Sequence, residues 1–137
     1  MKLERAVIAG FGLPGREAAN VLLARGVSIT VVEFNAEVVE RCARSGLNII
    51  HGDVRDEGVM ERAGVREAQL FACCVPIDEV VLQAVPMVRR MNPGIRIVAR
   101  CTMTSNGMKA TMLGADEVIV AEQVVAAEFG RVLNGQS

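Results

Sequence analysis

Gly10, Gly12 and Gly15 stand in the run Gly10-Phe11-Gly12-Leu13-Pro14-Gly15, and a carboxylate, Glu33, closes the next apolar segment, Val27-Ser-Ile-Thr-Val-Val-Glu33. The spacing gives each glycine a separate task. The first turns the chain sharply out of a strand, the second removes a side chain where phosphate oxygens approach the backbone, and the third lets the following helix lie close on the sheet. That helix aims its unpaired amides and the positive end of its dipole at an anion above the glycines. Glu33, roughly 20 residues on, is placed to accept hydrogen bonds from both ribose hydroxyls, and its charge disfavours a 2'-phosphate. Phe11, Leu13 and Pro14 within the loop, and Phe34 and Asn35 after the acid, are counted with the same site. The bland alternative is a tight strand-to-helix turn beside a solvated strand end. The strand before the glycines, the helix after them and the acid at the right remove favour a nucleotide pocket.

The elements that must position these residues follow from periodicity. Apolar, β-branched segments of strand length recur near residues 4–9, 27–33, 47–51, 69–75, 95–99 and 117–120. Helix-compatible stretches separate them at 14–25, 35–45, 56–68, 78–92, 103–113 and 121–134. Strict βα alternation predicts an α/β fold, a Rossmann-like doubly wound parallel sheet of six strands with helices on both faces and strand order 3-2-1-4-5-6. Gly26, Gly46 and Gly114 follow helical runs, and Asn92-Pro93-Gly94 stops the fourth helix. Val81, Ala84, Val88 and Met91 share one helical face and read as core, while Pro86 is expected to kink their helix. The last helix carries Val124, Val125, Phe129 and Val132 with little sheet left to cover, which predicts a subunit contact.

At 137 residues, 51% of them hydrophobic, the chain fits one domain, 1–137, that buries roughly two thirds of its unfolded surface. A net charge of −1 leaves no electrostatic footprint for nucleic acid, and the basic pair Arg89-Arg90 reads as a solvated helix face. No apolar run approaches the roughly 18 to 20 residues that cross a bilayer, and the first residues lack the apolar core of a signal peptide, so a soluble, cytoplasmic chain is expected. Cys42, Cys73, Cys74 and Cys101 show no C-x-x-C spacing. The neighbours Cys73 and Cys74 should face opposite sides of one strand, and buried packing rather than zinc or disulfide is expected. His51, the only histidine, is assigned no chemistry.

Three further segments fall at the ligand-facing strand ends: Gly52-Asp53-Val54, Cys74-Val75-Pro76-Ile77-Asp78 and Ile97-Val98-Ala99-Arg100. On residue chemistry alone, Asp53 suits either an adenine amino group or the cap of the short helix near Asp56. Arg100 suits either a ligand phosphate, through its planar fork, or a surface salt bridge.

With the glycine loop, Glu33 and Gly114-Ala-Asp-Glu-Val118, these segments resemble, over nearly the whole chain, the RCK, KTN or TrkA N-terminal domain that regulates potassium channels and transporters. The phrases Met91-Asn-Pro-Gly-Ile-Arg-Ile-Val-Ala-Arg100 and Leu113-Gly-Ala-Asp-Glu-Val-Ile-Val120 are most similar to the cytoplasmic domain of Kef-type potassium/proton antiporters. The resemblance implies that Gly10, Gly12 and Gly15 hold phosphate, that Glu33 holds the adenosine ribose, and that Asp53 with Val54, after Gly52, frames the adenine. It places Val75, Pro76 and Arg100 at the distal half. Many members of the family carry an arginine at the position of Leu13 and an amide donor at that of Pro14. This chain has neither, so AMP stands beside NAD(H) as the expected ligand.

No Ser-His-Asp set, metal cluster or paired carboxylates accompany the motif, and hydride transfer needs an acid or base beside the nicotinamide. The expectation is therefore a non-enzymatic sensor without catalytic or metal-binding residues, and the resemblance implies a homodimer or higher oligomer attached to or associated with a membrane potassium transporter at the inner face of the membrane. Nucleotide would shift the balance between two subunit arrangements. The alternative is the cofactor-binding domain of an NAD-dependent oxidoreductase.

Overall fold

Short β-branched runs flanked by glycine become buried parallel strands because each places apolar side chains on both faces of a sheet. In a computed structural model, which describes residues 2–135, six apolar runs, β-branched in all but the fourth, form β1 (Arg5–Ala9), β2 (Ser28–Glu33), β3 (Ile49–His51), β4 (Leu70–Cys73), β5 (Arg96–Cys101) and β6 (Glu117–Val120). The helices between and after them are α1 (Leu13–Ala24), α2 (Ala36–Ala43), α3 (Glu57–Arg62), α4 (Asp78–Met91), α5 (Thr104–Met112) and α6 (Ala121–Leu133). All strand pairs are parallel, and the order is β3-β2-β1-β4-β5-β6, as the alternation predicts. Ala9 lies opposite both Val32 and Cys73. The carboxyl ends of the three central strands therefore finish level, and the glycine loop leaves the sheet where its strand order reverses.

Alternation sorts the strand residues between two cores. Val7, Ala9, Val32, Phe71, Cys73, Ile97, Ala99 and Cys101 face α3, α4 and α5. Ala6, Ile8, Ile29, Val31 and Ala72 face α1, which contributes Ala19 and Leu22. Cys73 joins the first core and Cys74 packs against the second, so the neighbours do point to opposite faces, and all four cysteines are free.

Four local expectations need correction or sharpening. The stretch 56–68 is two pieces, because Gly64 takes φ +87° and turns the chain from α3 into a single 3-10 turn, Val65–Glu67. The third strand pairs over three residues rather than five, whereas β5 runs on to Cys101 and so includes Arg100. Helix α4 continues through Pro86, and its stripe of Val81, Ala84, Val88 and Met91 is buried. Arg89 is no solvated face. Its guanidinium donates to the carbonyls of Gly114 (2.8 Å), Pro93 (3.0 Å) and Ile95 (2.6 Å) and to Asp116 (2.7 Å), which also accepts the Ile97 N–H at 2.7 Å.

At the last helix the stripe is exposed, and only the premise that little sheet remains beside it needs correction. More than a remnant of sheet is left: beyond α1, the face of β4, β5 and β6 on the α1 side is uncovered. A groove of about 440 Å³ lies there, lined by Pro14, Ala18, Ala72, Cys74, Val98, Arg100, Ile119, Val124 and Val125. Helix α6 buries none of its residues, and Val124, Val125, Phe129, Val132 and Leu133 are all exposed. Among the described residues no helix is long and apolar enough to cross a membrane.

Candidate functional site

The strand β1 delivers the glycine loop to the carboxyl edge of the sheet. Gly10 adopts φ +87°, and a Cβ there would lie 3.0 Å from the Val75 nitrogen, so the loop presses directly on the chain leaving β4. A Cβ on Gly15 would stand 2.0 Å from the Gly10 carbonyl oxygen and 3.6 Å from the Ile8 side chain. That position admits no side chain, and the first turn of α1 consequently sits against the loop and sheet. Gly12 differs from both: a Cβ there would meet nothing within 4 Å, and its φ of −75° is open to any residue. Its bare backbone therefore faces free space, as a cradle for a ligand requires.

Gly12 is the N-cap of α1 and supplies no side-chain acceptor, Pro14 stands in the first turn, and that turn carries no acidic residue. Among the described residues, the amides of Gly12, Leu13 and Gly15 have no acceptor. By contrast, the first turns of α2 and α3 are closed by Asn35 and Asp56. The open donors and the dipole together form an anion seat at the start of α1.

Glu33 ends β2 across from this seat. One carboxylate oxygen accepts the Phe11 N–H at 2.7 Å and the other the Asn35 N–H at 2.8 Å. The acid thus braces the glycine loop and the start of α2 together, at the place where a ribose would meet it. Asn35 is committed elsewhere, since its side-chain oxygen accepts from Glu37 (2.9 Å) and Val38 (3.4 Å). Phe34 between them is exposed.

The Gly52 amide donates to the Glu33 carbonyl at 3.0 Å, and a Cβ on Gly52 would come within 2.9 Å of the Val59 methyls, so α3 closes tightly on the segment. Val54 is buried. Asp53 does not cap α3; Asp56 does. The Asp53 carboxylate instead takes the Arg55 guanidinium (2.7 Å) and the Arg55 N–H (2.9 Å). The Arg55 side chain holds the Asp53 carboxyl below the usual carboxylate range against a smaller opposing effect of burial. Arg55 is a neighbour of the site that sequence reasoning passed over; the i, i+2 spacing of acid and base was the available signal.

On the distal side, Val75 is half-buried and Pro76 exposed. Arg100 forms no ion pair with any described carboxylate, which removes the salt-bridge reading; its one polar partner is the Thr102 hydroxyl, at a long 3.5 Å. Beside it, burial pushes the Cys74 thiol up to about 11 despite the nearby guanidinium, so it is a packing group at neutral pH. His51 meets only the Phe34 carbonyl, at 3.0 Å.

Comparison with known proteins agrees with the fold. The family model described as the TrkA-N domain matches residues 6–121. The potassium-efflux system protein KefC of Cronobacter sakazakii, described as glutathione-regulated, is 31% identical over 96 residues, which are 70% of this chain but 16% of that protein. This chain spans less than a fifth of the length of the curated relatives it matches. Among solved structures, the TrkA-N domain of the inner membrane protein ybaL from Escherichia coli superposes with TM-score 0.90 at 24% identity, covering 96% of this chain and 98% of that one. The AMP-bound Kef C-terminal domain of Shewanella denitrificans gives 0.84 at 20% identity, over 97% and 80% of the two chains. The GsuK channel bound to NAD gives 0.76 at 19% identity, over 86% and 21%. On sequence match and fold alike, the chain belongs to the TrkA-N domain family.

Proposed function

We propose that this chain is the adenine-nucleotide-sensing regulatory domain of a potassium transport system of the Kef antiporter type, acting at the cytoplasmic face of the membrane without catalysing a reaction. The observation that carries the reading is the pairing of three acceptor-less amides over the bare Gly12 backbone with the Glu33 carboxylate across the cleft. In the relatives, AMP and NAD are the bound ligands. Here the amides of Gly12, Leu13 and Gly15 hold the phosphate, and Glu33 exchanges its Phe11 contact for the ribose hydroxyls. Phe34 and Val54 flank the adenine with Asp53, and Arg100, free of any carboxylate, attends a distal phosphate or the second nucleoside. Leu13 and Pro14 withhold one cation and one donor, which tilts the site toward AMP over a dinucleotide.

The open half-face of the sheet and the exposed apolar stripe of α6 support a homo-oligomer, since together they leave a contiguous apolar surface in water. A thermal-unfolding panel tests the ligand assignment. AMP and NAD(H) at 100 times their dissociation constants add about 2.7 kcal/mol, and NADP at the concentration used for NAD adds less because Glu33 opposes its 2'-phosphate. Stabilisation by none of them, or preference for NADP, overturns the reading.

A further inference from the structure

The turn between β5 and α5 is held in an unusual way. Helix α5 begins after Met103, a residue that cannot cap it. Its first amide, that of Thr104, and the two amides just before the helix are satisfied by carboxylates from two other elements. Asp78, the first residue of α4, accepts the N–H groups of Thr102 (2.7 Å) and Met103 (3.2 Å) and the side-chain amide of Asn106 (2.8 Å). Glu122, at the start of α6, accepts the Thr104 N–H, and the neighbouring Gln123 donates to the Thr104 hydroxyl at 3.2 Å. The Glu122 N–H in turn donates to the Thr102 carbonyl.

Each end of this clamp leads somewhere. Asp78 follows Val75 and Pro76, and the Val75 nitrogen is the atom against which Gly10 of the glycine loop is pressed. Arg100, the cation of the distal site, reaches the same turn through the Thr102 hydroxyl. At the other end stands α6, which buries no residue, so its side-chain ties to the body near its start run through Glu122 and Gln123 to Thr104. A helix without buried contacts takes its direction from the few polar bonds at its root.

We propose that the Thr102–Thr104 turn, gripped by Asp78 on one side and Glu122 on the other, is the element through which occupancy of the cleft is transmitted to the orientation of α6. Asp78 and Glu122 are positioning residues, and neither touches the ligand. The inference rests on the proposed nucleotide site for its input but not for its existence, because a clamp of this kind couples its two jaws with or without a ligand. The hydrogen bonds outweigh burial at Asp78, and at Glu122 Thr104 does the same, so both carboxyls sit below their usual ranges and both jaws are charged at neutral pH.

Amide hydrogen exchange on the full chain tests this, with wild type, Asp78→Ala, Glu122→Ala and the double variant, each without ligand and with saturating AMP. Without ligand, Glu122→Ala lowers protection of the Thr102 and Met103 amides, which it does not touch, by at least about threefold, and Asp78→Ala does the same at Thr104. Fold-changes in the double variant that equal the product of the single ones overturn the coupling. With AMP, wild type changes protection along α6, while Glu122→Ala still binds AMP and shows no change there. An α6 response that survives Glu122→Ala, or AMP binding in wild type that leaves α6 untouched, refutes the transmission and spares the nucleotide site. Failure of AMP to bind refutes the site instead, and the ligand-free arm still decides the clamp.

Discussion

Two glycines three residues apart separate the folding role of the loop from its binding role. At Gly12 the backbone conformation suits any residue and the space is empty, so Gly12→Ala adds a methyl to the cleft and nothing to the interior. Reduced freedom of the unfolded chain favours alanine by about 0.4–1 kcal/mol, and the poorer N-cap costs a similar amount, so net stability stays within about 1 kcal/mol of wild type. The methyl occupies the seat of a phosphate oxygen and lengthens its bonds to the Leu13 and Gly15 amides. Loss of one charge-assisted bond of about 1.5–3 kcal/mol lowers AMP affinity about 10- to 100-fold. At Gly15 the added carbon would stand 2.0 Å from a backbone oxygen, where ordinary contact begins at 3.4 Å. Loop and helix must separate, at about 1–3 kcal/mol, which is about 4–12 °C in melting temperature for a chain of this size. Calorimetric titration with AMP and thermal unfolding of both variants give the two readouts. A Gly12→Ala protein that binds AMP within about threefold of wild type, or that loses more than about 2 kcal/mol of stability, refutes the assignment of that backbone to phosphate.

Two further outcomes follow from the polar contacts. Arg89→Met leaves the carbonyls of Gly114, Pro93 and Ile95 without their donor and should cost about 2–3 kcal/mol in urea unfolding; a loss below about 1 kcal/mol would show that water replaces the guanidinium freely. Asp53, Asp78, Asp116 and Glu122 all have carboxyls depressed in the folded state, so their contribution is complete above the ordinary carboxylate range and is lost as pH falls through their folded values. Unfolding free energy should therefore decline below about pH 4, and D116N should make that decline shallower; an unchanged slope would remove Asp116 from the account.

The sequence made the sheet legible because its information is local: glycine-bounded β-branched runs fix the strands, and helix after strand fixes the hand of every crossover. The geometry of the glycine loop was legible for the same reason, since Gly10, Gly12, Gly15 and the first turn of α1 are contiguous. What escaped depends on residues far apart in the chain. Nothing near Arg89 announces that the Gly114 carbonyl and Asp116 will arrive beside it, and an arginine in a helix ordinarily signals solvent. The joint hold of Asp78 and Glu122 on the turn leading into α5 joins residues 24 and 18 positions from their partners. The interruption at Gly64 was local yet overlooked, because the apolar pattern continues across it in Val65 and only the positive φ reveals the turn. The apolar stripe of α6 was legible as one its own sheet leaves uncovered, but its counterpart was not, for such a stripe looks the same whichever surface it meets.

The guanidinium of Arg89 gathers the foot of the carboxyl-terminal half of the sheet, where β5 and β6 begin, into one knot. Their opposite tips are held by the Cys101–Val120 pairing, by the Glu122 N–H on the Thr102 carbonyl, and by the Asp78 and Glu122 side chains. A half-sheet tied at its foot by a charged knot and at its tips by single bonds to neighbouring helices yields first at the tips, where fewer bonds must break. Any stroke this half of the molecule delivers is accordingly largest at the tips, where α6 departs.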